Sequence, residues 1–193
     1  MRATCDELGL AFHLDGARLL NASVATGTTA AEIGRRFDTV TLCLSKGLGC
    51  PLGALLAGSS ELIAEARRFK HLFGGAMRQA GIVAAAGVYA LDHNVGRLAD
   101  DHARARRLAE GLHASGAPVE LEQVETNFVQ LDVGRLGLTS VEGIERLAHA
   151  GVGLSGTIRP GVLRAVTHLD VDDADIDAAL DAIPRALGAL VRA

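Results

Sequence analysis

Two lysines occur in the 193-residue sequence, and one of them, Lys46, stands in Leu44-Ser45-Lys46-Gly47-Leu48-Gly49 directly after a strand-like apolar run. Upstream, His13-Leu14-Asp15-Gly16-Ala17-Arg18 places an aspartate at the end of another apolar stretch. A lysine with an ordinary pKa of about 10.4 is a poor nucleophile at neutral pH. Desolvation at a buried strand end lowers that value and frees the neutral amine. A carboxylate at an apolar strand end is costly without a charged partner. Arg18 offers one such partner, and a pyridinium nitrogen offers another. Together the two groups suit pyridoxal 5'-phosphate: the amine forms a Schiff base with its aldehyde, and the acid keeps the ring nitrogen protonated so that the ring accepts carbanion electrons. Glycines 47 and 49 let the backbone turn sharply and a flat ring approach.

Strands must deliver both groups. Residues 10–14 read as a short buried strand closing on Asp15-Gly16. Residues 39–44 read as a β-branched, apolar strand of the kind that parallel sheets bury. Residues 52–57 read as a further strand. A helix spans 28–36 from a Thr28 or Thr29 cap, and another runs from Ser59 or Ser60 to about Phe69 with Glu61 favouring its start. Gly74-Gly75 marks a loop, and 77–91 reads as an almost wholly apolar, buried helix. Across 95–113, Leu98, His102, Ala105, Leu108, Ala109 and Leu112 share one face, with Asp100, Asp101, Arg104, Arg106 and Arg107 largely elsewhere, so this helix is amphipathic. After Gly116-Ala117-Pro118 the pattern is strand, strand, helix, strand, helix over 119–124, 127–132, 140–150, 163–167 and 172–191, with Pro184 kinking or dividing the last helix. The chain therefore reads as an alternating α/β part over residues 1–92 and a smaller α+β part over 93–193.

Hydrophobic residues make up 49% of the sequence, enough for a substantial core. A formal net charge of -4 gives no electrostatic case for nucleic acid. Cys5, Cys43 and Cys50 form an odd set without CxxC or finger spacing, which argues against a disulfide framework and for a reducing cytoplasm. The start lacks the apolar region of a signal peptide, and no uncharged run approaches the ~18–20 residues of a membrane span, so a soluble cytoplasmic protein is expected. Seven histidines occur without HExxH, and no metal site is expected. There is no GxSxG elbow, no GxGxxG and no GxxxxGK[ST], so no other nucleophile or phosphate cradle is evident. Asp170, Asp172 and Asp173 read as helix-start residues. His13 shares a strand face with Asp15 and reads either as a satisfied core histidine or as a group approaching the ring. His71, beside the Gly74-Gly75 loop, reads in the same two ways.

Four segments in order carry a resemblance: His13-Leu14-Asp15-Gly16-Ala17-Arg18-Leu19, Ser45-Lys46-Gly47-Leu48-Gly49-Cys50-Pro51-Leu52-Gly53, Gly74-Gly75-Ala76-Met77-Arg78-Gln79-Ala80-Gly81 and Leu163-Arg164-Ala165-Val166-Thr167-His168-Leu169-Asp170-Val171. Together they resemble low-specificity L-threonine aldolases, members of the β-eliminating-lyase group of fold type I pyridoxal-phosphate enzymes. The resemblance implies an α/β fold, the C-terminal portion of a fold type I large domain over 1–92 followed by a small α+β domain over 93–193. It implies Lys46 as the Schiff-base lysine and Asp15 as the partner of the pyridine nitrogen. Arg18 would lie near the cofactor's phenolic oxygen and the substrate carboxylate. Arg164 would grip that carboxylate with its planar fork, with Arg159 as a rival. Arg78 would sit near the site and reach the phosphate of a neighbouring subunit.

The implied activity is cleavage of an amino acid substrate, L-threonine or L-allo-threonine, to glycine and acetaldehyde, in a homodimer or homotetramer without nucleic acid or membrane partners. Members of the group carry roughly another half-chain before the His-Leu-Asp-Gly segment, holding the phosphate loop, the ring-stacking histidine and much of the central sheet. Two other readings stand beside this one. The chain is another pyridoxal-phosphate-dependent β-hydroxy amino acid aldolase or lyase, or it is a non-catalytic truncated remnant needing a partner chain. A remnant would expose apolar edges and surface.

Overall fold

Two three-stranded sheets organise the chain, one in each of two units that divide after Leu98. The computed structural model describes residues 1–188. The first unit runs α1 (Arg2–Glu7), β1 (His13–Gly16), α2 (Leu19–Thr26), α3 (Ala30–Gly34), β2 (Thr39–Cys43), β3 (Ala54–Gly58), α4 (Ser60–Leu72) and α5 (Gly81–His93). Strand β2 is central, parallel to β1 and antiparallel to β3. A parallel pair needs a crossover, and α2 and α3 supply it. Gly27, at φ 68, ends α2, and Thr29 with Glu32 forms a capping box on α3. Asp38 fixes the entry to β1: its carboxylate accepts from the Phe12 N–H at 2.7 Å and from Arg2 at 3.0 Å, while its own N–H donates to the Phe12 carbonyl at 2.8 Å.

In the second unit α6 (Leu98–Ala114), whose first residue ends the first unit, is followed by β4 (Phe128–Asp132), α7 (Ser140–His149), β5 (Ser155–Gly156), β6 (Val162–Val166) and α8 (Asp173–Leu187). The sheet order is β4-β6-β5, antiparallel throughout. Leu108, Leu112, Val129, Leu131, Leu147, Leu163, Ile176 and Ile183 are buried in one continuous core. The expected amphipathic face of α6 is the buried one, but Asp101 is buried as well, and its carbonyl accepts from the Thr167 hydroxyl at 2.6 Å.

Several expectations change. The first strand begins at His13, so Asp15 lies inside it rather than beyond its end. Residues 119–124 form no strand: a short 3-10 turn spans Leu121–Gln123, because the Gln123 and Val124 N–H groups bond to the Glu120 and Leu121 carbonyls instead of a neighbouring strand. Pro184 does not divide α8, which runs unbroken from Asp173 to Leu187. It lies in the last turn, so the single intrahelical bond that its missing N–H forgoes is at the helix end, and Gly188 at φ 66 stops the helix. The expected end at Val191 lies outside the described residues.

The largest departure is in burial. Of the eighteen large apolar side chains left exposed among the described residues, fifteen lie in the first unit and twelve between Leu52 and Leu91. All of β3 is exposed, α4 buries nothing, and α5, expected to be buried, buries only Gly87 and Ala90. Among its described residues the second unit leaves three such side chains exposed, Val141, Ile158 and Leu169.

The Phe12 N–H, and after it Arg2, holds the Asp38 carboxyl below its ordinary range. A depressed folded-state pKa stabilises above the unfolded value, and that contribution vanishes as the pH falls through the lowered value. Asp38→Asn should therefore melt below wild type at neutral pH and converge with it in acid. A gap that stays constant across thermal melts at different pH would contradict this.

Candidate active site

The parallel register sets Asp15 opposite Thr41 and His13 opposite Thr39, so these four side chains share one sheet face. The close approach of the strands depends on Gly16, where an added Cβ would lie 2.4 Å from the Thr41 carbonyl oxygen. Asp15 is exposed, and one carboxylate oxygen accepts from the Ala17 N–H at 3.1 Å. His13 is exposed too, with Nδ1 2.8 Å from the Thr39 hydroxyl. It is therefore not a core histidine, because β1 is an edge strand whose polar face nothing in the first unit buries.

Lys46 follows β2 in a tight turn at the same, C-terminal edge of the parallel pair. The Cys50 N–H donates to the Leu44 carbonyl at 3.1 Å, the Leu44 N–H to Gly53 at 3.0 Å, and the Gly49 N–H to Lys46 at 2.8 Å. Gly49 (φ 75) and Gly53 (φ 118) take backbone conformations that favour glycine. The turn is pinned from outside as well. Asn94 donates to the Leu48 carbonyl at 2.8 Å, and a Cβ on buried Gly47 would meet Leu98 at 2.8 Å. Asn94 was not legible as part of the site, since it reads simply as the polar end of an apolar helix.

Lys46 is half-buried, and with Arg18, Asn21 and Cys43 it lines a cavity of about 10 Å³, room for one water. Burial pushes the Cys43 thiol pKa up, but the Ser45 hydroxyl at 3.5 Å, the Ser45 N–H and the charges of Lys46 and Arg18 outweigh it, and the net shift is down. Burial and then the neighbouring Cys43 push Cys50 up.

Arg78 is exposed, beside Gln79, whose φ of 51 is the only left-handed non-glycine conformation among the described residues. His71 is exposed on α4, with Nδ1 2.8 Å from the Arg67 carbonyl. In the second unit Arg164 sits on β6, its guanidinium 5.2 Å from the Phe128 ring centre and its buried Nε without a hydrogen-bond partner. Arg159 is exposed and ion-paired to Asp132 at 3.3 Å. No cluster of three metal-ligating side chains occurs among the described residues, and none of their helices is long and apolar enough to cross a membrane.

The residues present fit pyridoxal phosphate in part. An amine and an exposed carboxylate stand at one sheet edge, with a bare polar face between the strands that carry them.

A family model described as beta-eliminating lyase matches residues 1–134. The low specificity L-threonine aldolase of Escherichia coli (strain K12) is 43% identical over 165 residues, which is 86% of this chain and 47% of the relative. The low-specificity L-threonine aldolase 1 of Arabidopsis thaliana is 38% identical over 169 residues, 84% of this chain and 47% of its own. The chain thus spans about half the length of the curated relatives it matches. In fold, the Leishmania major threonine aldolase superposes with a TM-score of 0.75 at 21% identity, covering 96% of this chain and 54% of that one. The fold is accordingly a partial fold type I α/β domain with its small α+β companion.

Two outcomes test the site's construction. Gly16→Ala should cost about 1–3 kcal/mol in denaturant unfolding, because the Thr41 carbonyl cannot move without breaking the strand pair; no change would contradict the register. Near neutral pH, Cys43 should alkylate faster than Cys50 in mapped iodoacetamide labelling, and Lys46→Ala should slow Cys43. An unchanged Cys43 rate in the variant would remove the lysine from the thiol's surroundings.

Proposed function

The chain belongs to the beta-eliminating lyase family, and from that premise we propose that it serves the aldol cleavage of L-threonine or L-allo-threonine to glycine and acetaldehyde. In this reading residues 1–92 are the partial cofactor-binding large domain and 93–193 the small domain. The observation that carries it is the delivery of Asp15 and Lys46 by parallel neighbouring strands to one sheet edge. Open α/β sheets bind their ligands beyond the C-terminal ends of their strands.

Pyridoxal 5'-phosphate, when bound, supplies an aldehyde that condenses with amines and a ring that takes up the electrons of a broken Cα–Cβ bond. This chain's residues supply the rest. Lys46 offers the amine, held in place by the Leu44–Cys50 and Asn94–Leu48 hydrogen bonds. Asp15 keeps a proton on the pyridine nitrogen, its own position set by the Ala17 N–H. Arg18, at the N-terminus of α2, serves the phenolic oxygen and substrate carboxylate.

Arg164 serves the carboxylate as well. A buried guanidinium nitrogen without an acceptor is costly, and a planar carboxylate supplies one. Arg159 already has Asp132, which supports Arg164 over its rival. Arg78 is assigned to the cofactor phosphate of a neighbouring subunit, and the constrained backbone at Gln79 supports a built loop there. The assignment includes a cytoplasmic homodimer or homotetramer. A second reading, a non-catalytic remnant needing a partner chain, is favoured by the bare apolar surface of the first unit.

The test is to incubate the chain with pyridoxal phosphate, reduce with borohydride and map the adduct. The expected result is label on Lys46 that is lost in Lys46→Ala. Label confined to Lys70, or no label, overturns the proposal.

A further inference from the structure

Strand β6 is the middle strand of the second sheet, and its Leu163 and Ala165 belong to the core of that unit. Arg164 lies between them and so emerges on the opposite face. Its cross-strand neighbours there are Gln130 on β4 and Ser155 on β5, neither of them charged. The acid further along that face of β4, Asp132, is ion-paired to Arg159 at 3.3 Å and to Arg135 at 3.6 Å. What the Arg164 guanidinium rests against is the ring of Phe128, 5.2 Å from its central carbon to the ring centre, while the buried Nε has no hydrogen-bond partner.

We infer that Phe128 is a positioning residue, whose ring holds the Arg164 guanidinium ready for a substrate carboxylate without engaging its N–H donors. An arginine fixed by an acid has donors already taken, as Arg159 has with Asp132. One left in water is spread over many rotamers. A ring face attracts the cation through its quadrupole and uses no N–H, so the planar fork stays whole for a two-pronged carboxylate. Phe128 is two residues from Gln130 on the same face of β4, the diagonal position from which an aromatic side chain reaches across to the neighbouring strand. The inference rests on the assignment of Arg164 to the substrate carboxylate.

The test follows the Nε–H signal of Arg164 by ¹H–¹⁵N NMR on the full chain, identified by its loss in Arg164→Lys, during titration with glycine as the carboxylate probe. Glycine should move the signal in wild type. Phe128→Leu, which removes the ring but keeps an apolar side chain, should weaken glycine binding about threefold to tenfold. Phe128→Tyr, which keeps a ring, should bind as wild type does. A purely structural role would lower the unfolding midpoint of Phe128→Leu and leave its glycine affinity unchanged, and that result overturns the inference alone. So does a Phe128→Tyr variant weakened as much as Phe128→Leu. A wild-type signal that glycine does not move overturns the carboxylate assignment, and this inference with it.

Discussion

The parallel pairing of β1 with β2 is the constraint on which the rest of the account depends. It is short, four register pairs from His13–Thr39 to Gly16–Leu42, and it closes only because position 16 has no Cβ to strike the Thr41 carbonyl. The pairing sets a carboxylate and an amine, well separated in sequence, at one edge of one sheet. The turn after β2 then converts a flexible lysine stem into a positioned group, since its backbone is closed by Leu44, Cys50 and Gly53 and held from α5 by Asn94. The backbone position of this lysine is set by those hydrogen bonds.

The two units differ in how they are stabilised. The second has a continuous core in which Thr167 is bonded to Asp101 and Asn127, and among the described residues its buried side-chain atoms without a hydrogen-bond partner are Asn127 Oδ1 and Arg164 Nε. The first has a small buried cluster of Leu44, Leu48, Cys50, Ala90 and Leu98, with a bare apolar surface across Leu52–Leu91. Each large aliphatic side chain left in water forgoes about 1.5–3 kcal/mol relative to full burial. Native domains are stable by only ~5–15 kcal/mol in total, so a deficit spread over a dozen side chains is large on that scale.

Much of this was legible in the sequence, for identifiable reasons. The Lys46 and Asp15 segments stood out because chemistry-bearing residues follow apolar β-branched runs. The α6 face was readable because burial there is set by a single helix period. Capping at Thr29 and Asp172 follows from local hydrogen bonding alone. What failed depended on partners. The apolar pattern of α5 correctly signals a helix, but pattern cannot say whether the covering surface is present. Residues 119–124 have strand-like composition but find no strand to pair with. His13 reads as a core histidine only if the sheet face it stands on is covered. The unpaired Nε of Arg164 and the Asp132 pairing of Arg159, which separate two otherwise equivalent arginines, exist only in three dimensions.

The central claim is that Asp15 and Lys46 serve one heterocycle, and the nitrogen of that ring reports it most directly. The measurement is the ¹⁵N chemical shift of ring-labelled pyridoxal phosphate bound to the assembled protein, in wild type and in Asp15→Ala, at mildly alkaline pH. A ring nitrogen protonated in wild type and deprotonated in the variant, with Lys46 carrying the cofactor in both, is the predicted result. The same protonation state in both proteins would contradict the account.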